Sequence, residues 1–311
     1  MAEIRAGVET FVLWGIEATF GTEAVTIDKQ FGFLQTFTQN IRRNLLEYRA
    51  FKGSDGGGRS PAALLPGKFD FTLTTDFKPV SFEFLELVLG SVSGAGTAGD
   101  PFIYTPVADQ PSFTVADNYD TTTDSSRKML GCKINSCTIR AVVAETASVT
   151  LDILGGDMTK GAVLESNVTL GTVDPFNFSQ GDVEIPDTTP ITNIIDSFEL
   201  VITNNVELLH GVGNLTAQNS LAKARDFKVN LTLKYFDDTF MDLLLGSSSA
   251  VTDPSNIATV TLKLDNGTQF IELKLTDLKF VNLDPGATLT EVVTEGITLS
   301  AKNMTAVERI I

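Results

Sequence analysis

Two cysteines stand five apart in "GCKINSCTIRAVVAETASVTLDILGGDM", residues 131–158, and they are the residues of this chain most easily read as chemistry. A redox pair or half of a metal site would suit their type. The spacing does not. In an extended strand five residues span about 16 Å and an odd offset sends Cys132 and Cys137 to opposite faces, whereas a disulfide needs Cα atoms within about 7 Å. No second cysteine pair exists, and the single histidine, His210, is far away in sequence. The expectation is two small packing side chains in a strand.

Other chemical motifs fail in similar ways. "GAGTAG" (94–99) fits a dinucleotide fingerprint by letter, but that motif works only between an entering strand and a departing helix; here a helical pattern enters and "DPFIYTP" leaves. "SDGGGR" lacks the Lys-Ser/Thr of a phosphate loop. One histidine leaves no hydrolytic triad, none of the 39 acidic residues sits in a recognisable acid/base context, and Trp14 reads as a partly buried anchor. The reading is of no enzyme and no cofactor or metal.

The totals narrow the class further. The 311 residues are enough for a large core or two domains, and 23 basic against 39 acidic side chains give a net charge of −16. Such a surface repels phosphate backbones and anionic membrane. No run approaches the roughly 20 apolar residues of a membrane helix, and "FVLWGI" is too short for a signal core, so synthesis in a cytoplasm and no membrane association are expected.

The elements that must carry all this read as strands, and they recur. "FDFTLTTDFKPVSFEFLELVLGS" (69–91) resembles "FKVNLTLKYFDDTFMDLLLGS" (227–247): an alternating strand, then a short amphipathic helix. Pro79 suits the first turn of one helix and Asp237 or Asp238 caps the other, with Gly90 and Gly246 as stops. "FLQTFTQNI" parallels "SFELVITNNV", "LGCKINSCTIRA" parallels "IELKLTDLKFV", which sets Cys132 with Leu273 and Cys137 with Leu278, and "SVTLDIL" parallels "GITLSAK". The expectation is mainly β: a tandem duplication of a β-sandwich or barrel module with one short flanking helix each. The first module would span 12–158 and the second 191–305, with a linker over 159–190 in which "FNFSQGDVEI" offers a hairpin. Asp265-Asn266-Gly267 marks a hairpin turn. The stretch 42–66 reads as a loop longer than any hairpin needs, and loops of that length are usually functional.

"GIEATFGTEAV" (15–25), "GCKINSCTI" and "VTLDILGGDM", in that order around the strand–helix–"LVLG" unit, resemble the tail tube proteins of long-tailed, non-contractile bacterial and archaeal viruses, the two-repeat kind. The resemblance runs from about Glu17 to Lys302. It implies a virion tail protein whose sheets join into rings, three two-repeat chains making a pseudo-sixfold ring. Stacked rings form the conduit through which viral DNA passes without specific binding, and other tail proteins such as the tape measure and terminator are partners. It also implies a long early loop reaching the neighbouring ring, which here falls on Arg42, Arg43, Lys52, Gly53, Asp55, Gly56, Gly57, Gly58 and Arg59; the two arginines depart from an acidic chain and suit acids on the next ring. Strand alternation leaves Asp70, Asp152 and Glu199 on polar faces, candidates for an acidic lumen lining whose repulsion reaches roughly 8 Å in physiological salt. A tail terminator, baseplate or shell subunit shares the composition, and a carbohydrate-binding β-sandwich is a further alternative poorly supplied with one Trp and four Tyr.

Overall fold

The computed structural model describes residues 11–48, 63–118, 126–160, 173–185, 195–234, 257–286 and 294–310. The chain is mainly β, as alternation implies. In order come β1 (Phe11–Ile16), β2 (Phe33–Tyr48), β3 (Ala63–Lys78), α1 (Leu85–Leu89), β4 (Gly90–Ser93), β5 (Phe102–Pro106), β6 (Phe113–Asn118), β7 (Ser126–Val142), β8 (Ser148–Gly155) and β9 (Asp157–Lys160). Then follow β10 (Gly181–Glu184), β11 (Ile195–Thr203), β12 (Val206–Leu209), β13 (Asn219–Ala222), β14 (Asp226–Lys234), β15 (Ile257–Asp265), β16 (Gln269–Gly286), β17 (Thr294–Ala301) and β18 (Asn303–Ile310).

The central layer runs β2-β3-β8-β7-β11-β14-β17-β16, all antiparallel. Its apolar face, with Phe71, Leu73, Phe77, Leu151, Leu200, Leu231 and Leu299, packs against two smaller layers. One is β1-β6-β7-β9, bringing Trp14, Val115 and Met129; the other is β10-β15-β16-β18-β5-β4, bringing Val183, Leu262, Leu273 and Met304. The long strands β7 and β16 belong to two layers each, entering in a small layer and leaving in the central one.

The pairings after β10 follow those before it. β10 lies on β15 as β1 lies on β6; β16 takes β15, β17 and β18 as β7 takes β6, β8 and β9; β14 takes β11 and β17 as β3 takes β2 and β8. Irregularities coincide as well. The β2–β3 register shifts between Leu34 and Thr36, the β11–β14 register between Ile195 and Ser197. The shift between Ile134 and Ser136 in β7–β8 matches that between Phe280 and Asn282 in β16–β17. Gly131 (φ 62°) and Asp277 (φ 54°) are left-handed at corresponding points. These landmarks set Cys132 with Leu278 and Cys137 with Leu283, five residues from the sequence alignment. Two alternating strands match almost as well at a wrong register, and only the bulges fix the right one.

Four further expectations change. The β7 bulge adds one residue between the cysteines, so both face the same core and both are fully buried, not on opposite faces. α1 is a single turn, Leu85–Leu89, not a helix from Pro79; ahead of it the Phe82 N–H donates to the Glu308 carboxylate at 2.7 Å, and Gly90, left-handed at φ 103°, ends it. The second expected helix, with Asp237, Asp238 and Gly246, lies outside the described residues. The 42–66 stretch is strand at both ends, β2 to Tyr48 and β3 from Ala63, forming a two-stranded arm beyond the last β3–β8 pair at Phe71. "FNFSQGDVEI" is a 3-10 turn followed by β10 on β15, not a hairpin. The hairpin at Asp265-Asn266-Gly267 forms, with Gly267 left-handed and its N–H on the Asp265 carboxylate.

Candidate functional site

The polar face of the central layer is the surface on which the sequence-derived acids meet. On β3, Asp70, Thr72, Thr74 and Asp76 alternate with Phe71, Leu73 and Phe77 of the core; Asp152 on β8 sits between buried Leu151 and Ile153, and Glu199 on β11 between Phe198 and Leu200. Because all these apolar neighbours share one cluster, the three acids share the opposite face.

Hydroxyls and amides knit this face together across strands. Asp152 accepts from Thr74 Oγ1 at 3.0 Å and Ser136 Oγ at 2.9 Å, tying β8 to both neighbours. Glu199 accepts from Asn230 Nδ2 at 2.8 Å, and Asn230 Oδ1 accepts from Thr298 Oγ1 at 3.1 Å. Asp70 pairs with Lys68 at 3.1 Å. Asp76, which the sequence reading did not single out, accepts from Thr36 and Thr150 hydroxyls, each at 2.6 Å; it shares the parity of Asp70 in "KFDFTLTTDF", and that was its signal. The face is mixed in charge, not uniformly acidic: Arg140 stands opposite Glu199 in register, and Lys228 opposite Val201.

The arm carries the other candidates. Arg42 and Arg43 are exposed on β2, Arg42 Nε lying 3.2 Å from Asn40 Oδ1. Lys52, Gly53, Asp55, Gly56, Gly57, Gly58 and Arg59 lie outside the described residues. At the base of the arm the Phe69 N–H donates to Leu215 O at 2.7 Å, and His210 Nε2 lies 3.2 Å from Phe69 O. The histidine thus holds backbone where the β12–β13 hairpin crosses the first half.

The chemical motifs have structural places. Burial pushes both thiols up, Cys132 further through the nearby Glu17 carboxylate, so neither is a thiolate at neutral pH. "GAGTAG" is the loop between β4 and β5, folded back through Asp100 onto Thr97. Trp14 is fully buried, stacked on Phe31 at 5.9 Å with the Lys29 ammonium 5.0 Å from its ring. Among the described residues, no three of His, Cys, Asp and Glu converge on a metal-sized site, and no helix is long and apolar enough to cross a membrane.

Buried polar groups escaped the sequence reading altogether. Glu17 accepts from the Gly21 and Gly131 amides and the Thr114 hydroxyl. Asn204 donates to Val88 O at 3.2 Å and Ile134 O at 3.0 Å, and Arg225 donates to Asn204 and to Leu89 O. These groups close the last turn of α1 onto the second half of the chain. Apart from Gly21, four residues from Glu17, their partners lie too far off in sequence for any local pattern to announce them.

Among the described residues, the surfaces that stand out are therefore a knit polar face, a two-stranded arm and the two end strands of the central layer, with the interior given over to packing. No curated protein matches the chain. The family model described as phage tail tube protein matches residues 7–301. The chain belongs to the phage tail tube protein family, as a structural protein of the virion tail.

Proposed function

We propose that this protein polymerises as stacked rings of three chains, each chain contributing two equivalent β modules so that the ring is pseudo-sixfold, and that the stacked rings form the channel through which viral DNA leaves the virion. The observation that carries this reading is the strand seam inside one chain. β7 of the first half pairs with β11 of the second over Ser136–Val142, while β2 and the C-terminal part of β16 are the end strands of the central layer, with no further strand beyond them among the described residues. Matching pairings and matching bulges in the two halves support a tandem duplication. A duplicated module joined to itself by strand pairing, with an edge strand at each end of its described central layer, is suited to cyclic closure, which removes the edges.

In this reading the polar face of the central layer lines the channel and the β2–β3 arm reaches the neighbouring ring. Tape measure and terminator proteins are the other tail partners. Native mass measurement and projection images of the purified protein test the assembly: three chains and pseudo-sixfold density are expected, and a ring of six chains overturns the stoichiometry.

A further inference from the structure

Resting on that ring reading, we infer that the seam between neighbouring chains copies the β7–β11 seam residue for residue, so that β2 of one chain pairs antiparallel with the end of β16 of the next, Thr38–Arg42 against Asn282–Gly286.

The register comes from landmarks within one chain. The bulge before Thr36 corresponds to that before Ser197, so Ile41 stands where Ile202 stands and Arg42 where Thr203 stands. The bulge before Asn282 corresponds to that before Ser136, so Leu283 holds the place of Cys137. Inside the chain, Ile202 faces Cys137 and Thr203 faces Ser136. Transferred to the outer sides of β2 and β16, Ile41 faces Leu283 and Arg42 faces Asn282.

Exposure agrees with an uncovered seam. Ile202 is fully buried beside β7, whereas Ile41, its counterpart on the end strand β2, is 40% exposed. Phe198 is buried and Phe37 only partly so. Val281 is 58% exposed at the place of Asn135, whose carbonyl accepts from the Asn204 N–H across the internal seam at 2.8 Å. The backbone fits too, with one concession. The Val143 N–H donates to Asp196 O, so alternate residues of β7 including Ile139 turn their backbone groups towards β11. Pro285, at the place of Ile139, has no N–H to give, so the intermolecular seam carries one ladder bond fewer than its template. A proline on an edge strand also discourages unspecific pairing.

Paired cysteines read the register directly. By the same alternation Arg42 and Asn282 form a non-hydrogen-bonded pair, the kind with Cα atoms about 4.5 Å apart. Arg42→Cys with Asn282→Cys should therefore oxidise between chains in assembled tubes and yield covalent trimers. Ser136→Cys with Thr203→Cys, at the template position, should cross-link within one chain and is the control for geometry. Asn40→Cys with Asn282→Cys, displaced by two, should cross-link at least tenfold less. If tubes form, the template pair closes and the Arg42/Asn282 pair does not, the inferred register is overturned while the ring reading stands. If the unmodified protein forms neither rings nor tubes, the ring reading falls and the seam with it.

Discussion

The Tyr104 hydroxyl donates a 2.7 Å hydrogen bond to Glu308, joining strands β5 and β18 across 204 residues of sequence. Glu308 also accepts from the Phe82 amide at 2.7 Å, so one buried carboxyl fixes the start of α1, a first-half strand and the last strand of the chain. Burial outweighs these two hydrogen bonds, and the nearby Glu83 carboxylate adds to it, so the Glu308 carboxyl is pushed up to about 7.

A carboxyl whose folded pKa lies above its unfolded value binds its proton more tightly when folded. Its stabilisation is complete below about pH 4.5 and is lost as pH rises through about 7. At 1.36 kcal/mol per unit the swing is roughly 3 kcal/mol. Glu308→Gln keeps an oxygen acceptor and removes the titration, so the variant should lose the fall in stability between pH 5 and 8 relative to the parent. Melting temperatures across that range decide it; identical profiles would place the proton elsewhere.

Asn204 is fully buried, and its amide serves two carbonyls and one guanidinium. Gln110 Nε2 remains on Val88 O at 2.8 Å and Ile134 O at 3.3 Å, so those carbonyls keep a donor when Asn204 is removed. The half-buried Arg225 loses its acceptor on this side chain. Asn204→Ala should cost about 2 kcal/mol in urea unfolding, and a loss under about 0.5 kcal/mol would show that the amide does not hold the halves together.

Gly131 and Asp277 adopt the same left-handed backbone, one with no side chain and one with a tolerated one. Gly131 also gives its N–H to Glu17 at 2.8 Å, and a Cβ there would lie 2.8 Å from the Phe20 ring. Gly131→Ala should therefore cost at least 1–2 kcal/mol, from backbone strain plus displacement of Phe20. Asp277→Gly should change stability by less than about 1 kcal/mol, because relief of strain opposes added chain entropy. Equal losses from both would mean the backbone angle is not the cause.

Alternation made much of this legible. The core sides of "KFDFTLTTDF" and "VTLDI" and the common polar parity of Asp70 and Asp152 follow from a period of two. The Asp265-Asn266-Gly267 turn follows from its need for a left-handed glycine. Register did not follow, since a slide of five residues still sets Cys132 and Cys137 on leucines, each strand carrying a bulge that resets its alternation. The extra residue that returns Cys132 and Cys137 to one face carries no local mark. Arg140 opposite Glu199 required knowing that β7 meets β11, a pairing between the two halves. The Glu308 site required β18 to meet β5.

The β2–β3 arm extends past β8 with its ends paired and Arg42 and Arg43 exposed. Deleting Lys52 to Arg59 shortens the chain between Tyr48 and Ala63 without touching those pairs. The expected result is an unchanged melting transition with rings that no longer stack into tubes, read by electron microscopy. Normal tubes from the deletion variant would show that the arm is not the contact between rings.

The lumen assignment is tested by charge. Asp70→Lys, Asp152→Lys and Glu199→Lys together turn three negative charges into three positive ones on a face where Arg140 and Lys228 already stand. No core contact is lost. The hydroxyls of Thr74 and Ser136 and the amide of Asn230 lose an acceptor on a solvated surface, so each change should cost no more than about 1 kcal/mol and tubes should still assemble. If this face lines the channel, three added cations per chain, repeated around every ring, create a lattice of phosphate contacts. Binding to such a lattice weakens steeply as salt displaces the released counterions. DNA should then be retained and ejection slowed, with the delay shrinking as salt rises. Ejection at the parent rate, from tubes shown by mass to carry all three substitutions, would place this face on the outside of the tube.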